Sequence, residues 1–132
     1  MKSIAALLAA TVLSSTAMAA ASTEKLPSGV VVEHLVQGTG AQPAATDVVK
    51  VNYRGTLANG TEFDASAKHG GPATFPLNRV IPCWTQGVQT MKVGGKAKLT
   101  CPAVTAYGSR AVGTIPPNSD LTFEVELIDI VK

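Results

Sequence analysis

One short stretch of the sequence, residues 79–91, constrains the fold more than any other. It contains the only tryptophan, Trp84, and a proline, Pro82, where the first turn of a helix tolerates a missing N–H group. Trp84, Val88 and Met91 are spaced to share one helix face, and two glycines follow as a stop signal. The stretch therefore predicts one short amphipathic helix whose apolar face covers the strands predicted elsewhere.

The N-terminal residues have the three parts of a secretory signal peptide. Lys2 gives a positive start, an apolar run covers 4–13, and Ala-Met-Ala at 17–19 is a small-x-small cleavage pattern. The apolar run is too short to cross about 30 Å of hydrocarbon, which disfavours stable membrane insertion. We therefore expect residues 1–19 to be removed, 20–28 to form a flexible segment, and the mature protein to be periplasmic or secreted.

Alternating apolar and polar residues predict an antiparallel sheet in the rest of the chain. The clearest alternation covers 47–57, an Asn-Gly turn follows at 59–60, and the chain returns over 61–66. The other strand patterns cover 30–36, 73–77, 96–101 and 121–131. One helix across about five such strands defines an α+β domain, which we assign to 29–132.

Charge and motif content exclude several classes of function. The 11 basic and 9 acidic residues form no basic stripe, so nucleic acid is disfavoured as a partner. His34 lies in a predicted strand without an acidic partner and His69 in a glycine loop, so both are interpreted as exposed histidines without a catalytic role. The sequence has no metal-ligand spacing, nucleophile motif or phosphate loop, so no metal and no cofactor is expected.

A set of aromatic and aliphatic side chains remains as the candidate site. Some lie in loops, where ligand contacts are more common than core contacts, and Asp64 places a carboxylate directly after one of the aromatic residues. A concave apolar surface with a few polar groups is typical of a binding pocket, and a plain hydrophobic core is the alternative. The apolar and aromatic members are Tyr53, Phe63, Phe75, Val80, Ile81, Trp84, Tyr107, Ile115 and Phe123.

The two cysteines favour a disulfide. Cys83 opens the predicted helix, and Cys101 faces inward on a strand that this helix should cover. A bridge is sterically plausible and suits an oxidising compartment, whereas two buried free thiols are the alternative. A thiol oxidoreductase is a weaker interpretation because the pair does not form a CxxC motif.

Several motifs, in their order and spacing, resemble the FKBP-type peptidyl-prolyl cis-trans isomerases. The resemblance covers about Lys25 to Lys132 and implies an antiparallel half-barrel of about five or six strands wrapped around one short helix. The motifs are Val-Lys-Val-Asn-Tyr-Arg-Gly-Thr-Leu at 49–57, Asn-Gly-Thr-Glu-Phe-Asp at 59–64, Val-Ile-Pro-Cys-Trp at 80–84 with Gly87 and Met91, Ala-Tyr-Gly at 106–108, Ile-Pro-Pro at 115–117 and Leu-Thr-Phe-Glu-Val-Glu-Leu at 121–127.

The resemblance also implies roles for the candidate residues. Trp84 forms the pocket floor, the Ile81 N–H takes a substrate carbonyl, and family members bind the macrolides FK506 and rapamycin in this pocket. The sequence departs from many members at Ala73, where a second aromatic wall is common, and at His69, where some carry an arginine paired to the aspartate. The implied catalytic residues are Tyr53, Phe63, Asp64, Ile81, Trp84, Tyr107 and Phe123, and the implied substrate-binding residues are Phe75, Val80 and Ile115.

The function that this resemblance implies needs no nucleophile. An X–Pro bond isomerises slowly because amide resonance keeps it planar, and an apolar pocket disfavours the dipolar planar state more than the twisted transition state. The expected substrates are proline-containing unfolded or nascent exported polypeptides, and the protein is expected to act as a monomer. A chaperone or binding module that uses the same pocket with little turnover is the competing interpretation.

Overall fold

The computed structural model describes residues 22–132, in which every named strand joins one antiparallel sheet. The strands are β1 (Ser22–Lys25), β2 (Val31–Val36), β3 (Val48–Leu57), β4 (Glu62–Ala65), β5 (Ala73–Pro76), β6 (Lys96–Cys101) and β7 (Leu121–Val131). Their order is β1-β2-β6-β7-β3-β4, and β5 pairs with β3. The sheet stays open between β1 and β4, so the predicted α+β half-barrel is confirmed. The predicted signal peptide and its cleavage site lie outside the described residues.

The longest ladder, between β3 and β7, forms the centre of the sheet. It extends from Val48 opposite Val131 to Leu57 opposite Leu121. A bulge interrupts it, because β7 contributes one extra residue, Ile128, where the pairing passes from Lys50 to Val51 on β3. A bulge of this kind bends a strand and increases its twist, which helps the sheet to curve around the helix.

The helix α1 (Pro82–Val88) lies against the concave face of the sheet. It is shorter than the predicted stretch, because the Thr90 and Met91 N–H groups bond the carbonyls three residues before them and tighten the chain into a turn. Met91 is nevertheless buried with the helix face, as its spacing predicted. The core between helix and sheet contains fully buried residues from both and from the turn that precedes the helix, including Val49, Val51, Leu77, Val88, Leu99, Leu121 and Leu127.

The connections contain short 3-10 helices that the sequence pattern did not reveal. They cover Ser66–His69, Leu77–Arg79 and Ala103–Thr105, in regions predicted to be irregular or, for Ser66 and Leu77, the end of a strand. Within residues 22–132, no helix combines the length and the hydropathy that crossing a membrane requires.

The N-terminal segment differs from the prediction of a flexible stretch over 20–28. Residues Ser22–Lys25 pair with β2 as an antiparallel edge strand. Glu24 reaches His34 on β2, where the carboxylate Oε2 lies 2.7 Å from the imidazole Nε2. His34 is only 5% exposed, so its interpretation as an exposed histidine without an acidic partner is wrong. The physical reason is the pairing of β1, which the polar sequence Ser-Thr-Glu-Lys does not signal.

A disulfide between Cys83 and Cys101 joins the start of α1 to the end of β6. The two Cα atoms lie 5.6 Å apart, and both side chains are completely buried. It closes a segment with a sequence separation of 18. A covalent link of this kind restricts the unfolded chain and fixes the helix against the sheet.

Candidate active site

An open hollow of about 140 Å³ lies between the start of α1 and the curved sheet. This volume is several times that of one water molecule in the liquid, which is about 30 Å³. A small ring can therefore enter the hollow. Strands β3, β4, β5 and β7 contribute to its wall, together with α1 and the residues just before it. The lining residues are Tyr53, Asp64, Phe75, Val80, Ile81, Trp84 and Phe123.

The indole of Trp84 lies in the lining of this hollow and is only 4% exposed. Three aromatic rings meet it edge to face, with centroid distances of 5.4 Å to Tyr53, 5.5 Å to Phe75 and 5.4 Å to Phe123. Phe63 packs in the same way against Phe123, at 5.5 Å. Edge-to-face contacts are a favourable aromatic geometry, so the walls hold one another in place.

The local sequence fixes the position of the helix that carries this indole. Ile81 has an extended backbone at the N-cap position, and Pro82 follows in the first turn, where its missing N–H is tolerated. The Thr85 hydroxyl donates to the Leu77 carbonyl over 2.6 Å and ties the helix to the preceding 3-10 turn. Together with the disulfide at Cys83, these contacts set the position of the indole.

Gly55 on β3 makes the packing of the aromatic wall possible. A Cβ atom at this position would lie 2.5 Å from Phe63 Cζ and 2.8 Å from Phe123 Cε1, distances too short for real contacts. The alternation predicted over 47–57 puts Gly55 on the same side of the strand as Tyr53 and Leu57, but it did not reveal this role. The sequence signal that could have revealed it is a glycine between two large residues, Tyr53 and Leu57, on the same side of the strand.

The carboxylate of Asp64 forms the polar side of the hollow. Three groups lie within hydrogen-bond distance of it. The Tyr53 hydroxyl donates to Oδ2 over 2.8 Å, and the Ala65 N–H donates to Oδ1 over 2.8 Å. His69 Nε2 lies 2.8 Å from the same Oδ1. His69 therefore contacts Asp64 from the position where, according to the resemblance, some family members carry an arginine paired to the aspartate.

The pKa values of this cluster follow from these contacts. Burial raises the pKa of Asp64, but the hydrogen bonds from His69, Tyr53 and the Ala65 N–H outweigh it, so that the pKa lies below its ordinary 3.8. Burial first, and the bond to Asp64 second, raise the pKa of Tyr53 to about 12. At neutral pH the hollow thus contains a carboxylate and a neutral phenol that donates to it.

The structure places three predicted site residues behind or beside the lining. Phe63 supports the Phe123 ring, and Ile115 is 5% exposed and packs into the core. Tyr107 is half-buried against the same core. Ala73, the departure noted in the sequence, lies on β5 opposite Val51. Among residues 22–132, no cluster of three or more His, Cys, Asp or Glu side chains could hold a metal ion.

Comparisons with known proteins identify the family. The family model for FKBP-type peptidyl-prolyl cis-trans isomerases matches residues 39–128. The isomerase FkpA of Aeromonas hydrophila is 59% identical over 95 residues, which cover 72% of this chain and 35% of that protein. The outer membrane protein MIP of Legionella longbeachae is 46% identical over 108 residues, 81% of this chain and 46% of that protein.

A solved structure shows the same fold. The crystal structure of FkpA from Escherichia coli aligns with a TM-score of 0.79 and 46% identity, over 82% of this chain and 51% of that chain. The chain therefore belongs to the FKBP-type peptidyl-prolyl cis-trans isomerase family, as the sequence motifs predicted. It spans 35% and 46% of the lengths of the two relatives named above, so it corresponds to part of each of them.

Proposed function

We propose that this chain is a peptidyl-prolyl cis-trans isomerase that acts on proline-containing segments of unfolded polypeptides. The observation that carries the proposal is the apolar hollow lined by Trp84 and other aromatic side chains, with a single carboxylate in its lining. Family membership supports the same activity. No covalent step is needed, since the barrier to be lowered is a rotation.

The physical basis is the loss of amide resonance during rotation. A planar X–Pro amide is strongly dipolar, its rotation barrier is about 18–20 kcal/mol, and its isomerisation takes tens of seconds or more. Transfer from water into an apolar hollow destabilises the dipolar planar state more than the twisted one, in which resonance is lost. The hollow thereby lowers the barrier by binding the transition state better than the ground state.

We assign the residues to roles on this basis. Trp84 receives the proline ring, and the Ile81 N–H donates to a substrate carbonyl. Asp64 and the Tyr107 hydroxyl serve as polar groups of the site. The surrounding wall, to which we assign direct or supporting contacts, consists of Tyr53, Phe63, Phe75, Val80, Ile115 and Phe123.

A protease-coupled assay on a prolyl peptide tests the activity. We expect the purified chain to accelerate the cis-to-trans step, and FK506 to suppress the acceleration by occupying the hollow. A matched binding measurement uses the fluorescence of Trp84, the only tryptophan in the chain. Saturable binding of the peptide without acceleration would contradict the proposal and favour a binding module or chaperone.

We further propose that the protein acts as a monomer on exported polypeptides in the periplasm. The signal-peptide pattern of residues 1–19 and the disulfide support export, since disulfides persist in oxidising compartments. The name of the MIP relative places that protein in the outer membrane. Cell fractionation with mass determination tests the proposal, which predicts a periplasmic form beginning at Ala20 and eluting at monomer mass.

A further inference from the structure

Charged residues are distributed unevenly along the chain that surrounds the hollow. The whole chain has 11 basic and 9 acidic residues, but the segment 65–119 contains no aspartate or glutamate. This segment supplies Phe75, Val80, Ile81 and Trp84, which are more than half of the lining residues. The side of the hollow that it forms therefore has no carboxylate. The lysine and arginine residues of the segment are Lys68, Arg79, Lys92, Lys96, Lys98 and Arg110.

Arg79 is the cation of this segment that lies closest to the lining along the chain. It ends the 3-10 turn Leu77–Arg79 and directly precedes Val80, a lining residue. Packing holds this turn, because the Leu77 side chain is fully buried and the Leu77 carbonyl accepts the Thr85 hydroxyl over 2.6 Å. Arg79 itself is exposed. Its long side chain therefore starts from a well-held backbone position, one residue from the hollow.

The Arg79 guanidinium is available for a new partner. Among residues 22–132, no carboxylate lies within 4.0 Å of it. Asp64, the one carboxylate in the lining, accepts the Tyr53 hydroxyl and the Ala65 N–H instead. A guanidinium presents a planar fork of N–H donors that matches the two oxygens of a carboxylate. The rim of the hollow thus offers a cation to an incoming acidic side chain.

We infer that Arg79 is a specificity-determining residue that favours polypeptide segments with an aspartate or glutamate next to the proline. When the proline ring occupies the hollow, the neighbouring side chain of the substrate lies at its rim, where Arg79 follows the 3-10 turn. The inference rests on the proposed isomerase function, because it concerns which X–Pro segments the hollow receives. It names a substrate class that the apolar lining alone does not indicate.

The contact acts on substrate binding and not on the rotation. The acidic side chain keeps its charge while the X–Pro bond twists, so Arg79 stabilises the planar and twisted states equally. Uniform binding of this kind lowers KM and leaves kcat unchanged. Because Arg79 is exposed, the gain is that of an ion pair in water, about two- to fivefold in kcat/KM. Salt weakens it, since the screening length falls from about 10 Å at 0.1 M to about 3 Å at 1 M ionic strength.

The turnover of matched prolyl peptides tests the inference. The peptides carry glutamate, glutamine or lysine at one position, either directly before or directly after the proline, and NMR exchange measures the rate without a coupling protease. For the wild type, we expect kcat/KM to be about two- to fivefold higher with glutamate than with glutamine in at least one position. Arg79→Gln should abolish this preference, and Arg79→Glu should favour the lysine peptide instead. The ratio between peptides cancels any general loss of activity in a variant.

Lys98→Gln is the matched control. It removes the same charge from an exposed position of β6, a strand that does not contribute to the lining. This variant should retain the wild-type preference, whereas about 1 M salt should remove the preference from the wild type. Equal turnover of glutamate and glutamine peptides by the wild type in both positions would overturn the inference. So would a preference that persists in Arg79→Gln or in high salt, or one that Lys98→Gln also loses.

Failure of the proposed function is distinguishable from failure of the inference. If no form of the chain accelerates the isomerisation of any peptide, the isomerase proposal fails. The affinity for the same peptides, read from Trp84 fluorescence, then replaces the rate in the same variants. An affinity that does not distinguish glutamate from glutamine, or that does so equally in wild type and Arg79→Gln, contradicts the inference.

Discussion

At the scale of single residues, Gly55 shows that a missing side chain can shape a site. Its ideal Cβ would overlap Phe63 and Phe123, so the strand can hold these two rings in contact only because the position is glycine. Alternation puts Gly55 on the same side of β3 as Tyr53 and Leu57, but only the three-dimensional packing shows which rings occupy the space.

We predict that Gly55→Ala disturbs the hollow more than its small size implies. The added methyl group displaces the two rings, so the free energy of unfolding should fall by about 1–3 kcal/mol. kcat/KM on a prolyl peptide should fall as the wall moves. Urea unfolding and the coupled assay measure the two effects. Thr56→Ala, the outward neighbour on β3, is the control, and equal behaviour of the two variants would contradict this role of Gly55.

Asp64 gives a second prediction at this scale, concerning pH. Its pKa is depressed in the folded state, so its contribution to stability is present above the ordinary value of 3.8 and is lost as pH falls through the lower folded value. The difference in unfolding free energy between wild type and Asp64→Asn should therefore be larger at neutral pH than in acid. Urea unfolding at about pH 7 and 2.5 measures it. A difference independent of pH would show that the carboxylate gains nothing from its hydrogen bonds.

At the scale of elements, the disulfide and α1 act together. The bridge closes a segment with a sequence separation of 18 and anchors the helix that carries Trp84. Loop-closure entropy for a segment of this length gives a stabilisation of about 3 kcal/mol. The site therefore depends on a covalent link that lies outside its own lining.

We predict that the double variant Cys83→Ala, Cys101→Ala unfolds at lower urea concentration, with a loss of about 3 kcal/mol. Reduction of the wild type under partly unfolding conditions should give the same loss, because the buried bridge becomes accessible when the chain opens. The reductant should leave the double variant unchanged. Equal stability of variant and oxidised wild type would contradict a stabilising bridge.

The strands also differ in how well they can be predicted from the sequence. The predicted ranges 96–101 and 121–131 agree with β6 and β7, because the alternation is unbroken over 96–101 and 121–127 and one face of each strand is buried there. β1 was missed because its four residues are all exposed, so that backbone pairing and polar side-chain contacts, such as the one between Glu24 and His34, define it. Pairing through backbone groups alone, even with the next strand along the chain, leaves no period in the sequence.

The site residues likewise fall into two groups, those that the sequence pattern predicts and those whose position depends on tertiary packing. The aromatic residues of the lining could be predicted, since they occupy inward positions of regular strands or the buried face of α1. The contact between His69 and Asp64 could not be predicted from spacing, because it depends on the 3-10 turn that returns the chain toward β4. Ile115 and Tyr107 lie in a loop whose path no periodicity defines, and neither lines the hollow.

At the scale of the whole molecule, the hollow exists only in the complete fold. Its lining comes from four strands, the helix and the residues before it, which are distant in sequence. Neither the helix nor a single hairpin presents these side chains together. Binding of a proline ring and the global stability of the domain are therefore linked, since a ligand that binds only the folded state also stabilises it.

The most direct measurement of the central claim is the cis-trans exchange rate of a prolyl peptide, observed by NMR exchange spectroscopy with catalytic amounts of the chain. We predict faster exchange with the wild type and with Leu127→Ala, whose buried side chain lies on β7 outside the hollow. Phe123→Ala should lose most of this acceleration while remaining folded, because the lost ring enlarges the hollow and admits water. An acceleration by folded Phe123→Ala equal to that of the wild type would contradict the claim that the apolar hollow is the site of catalysis.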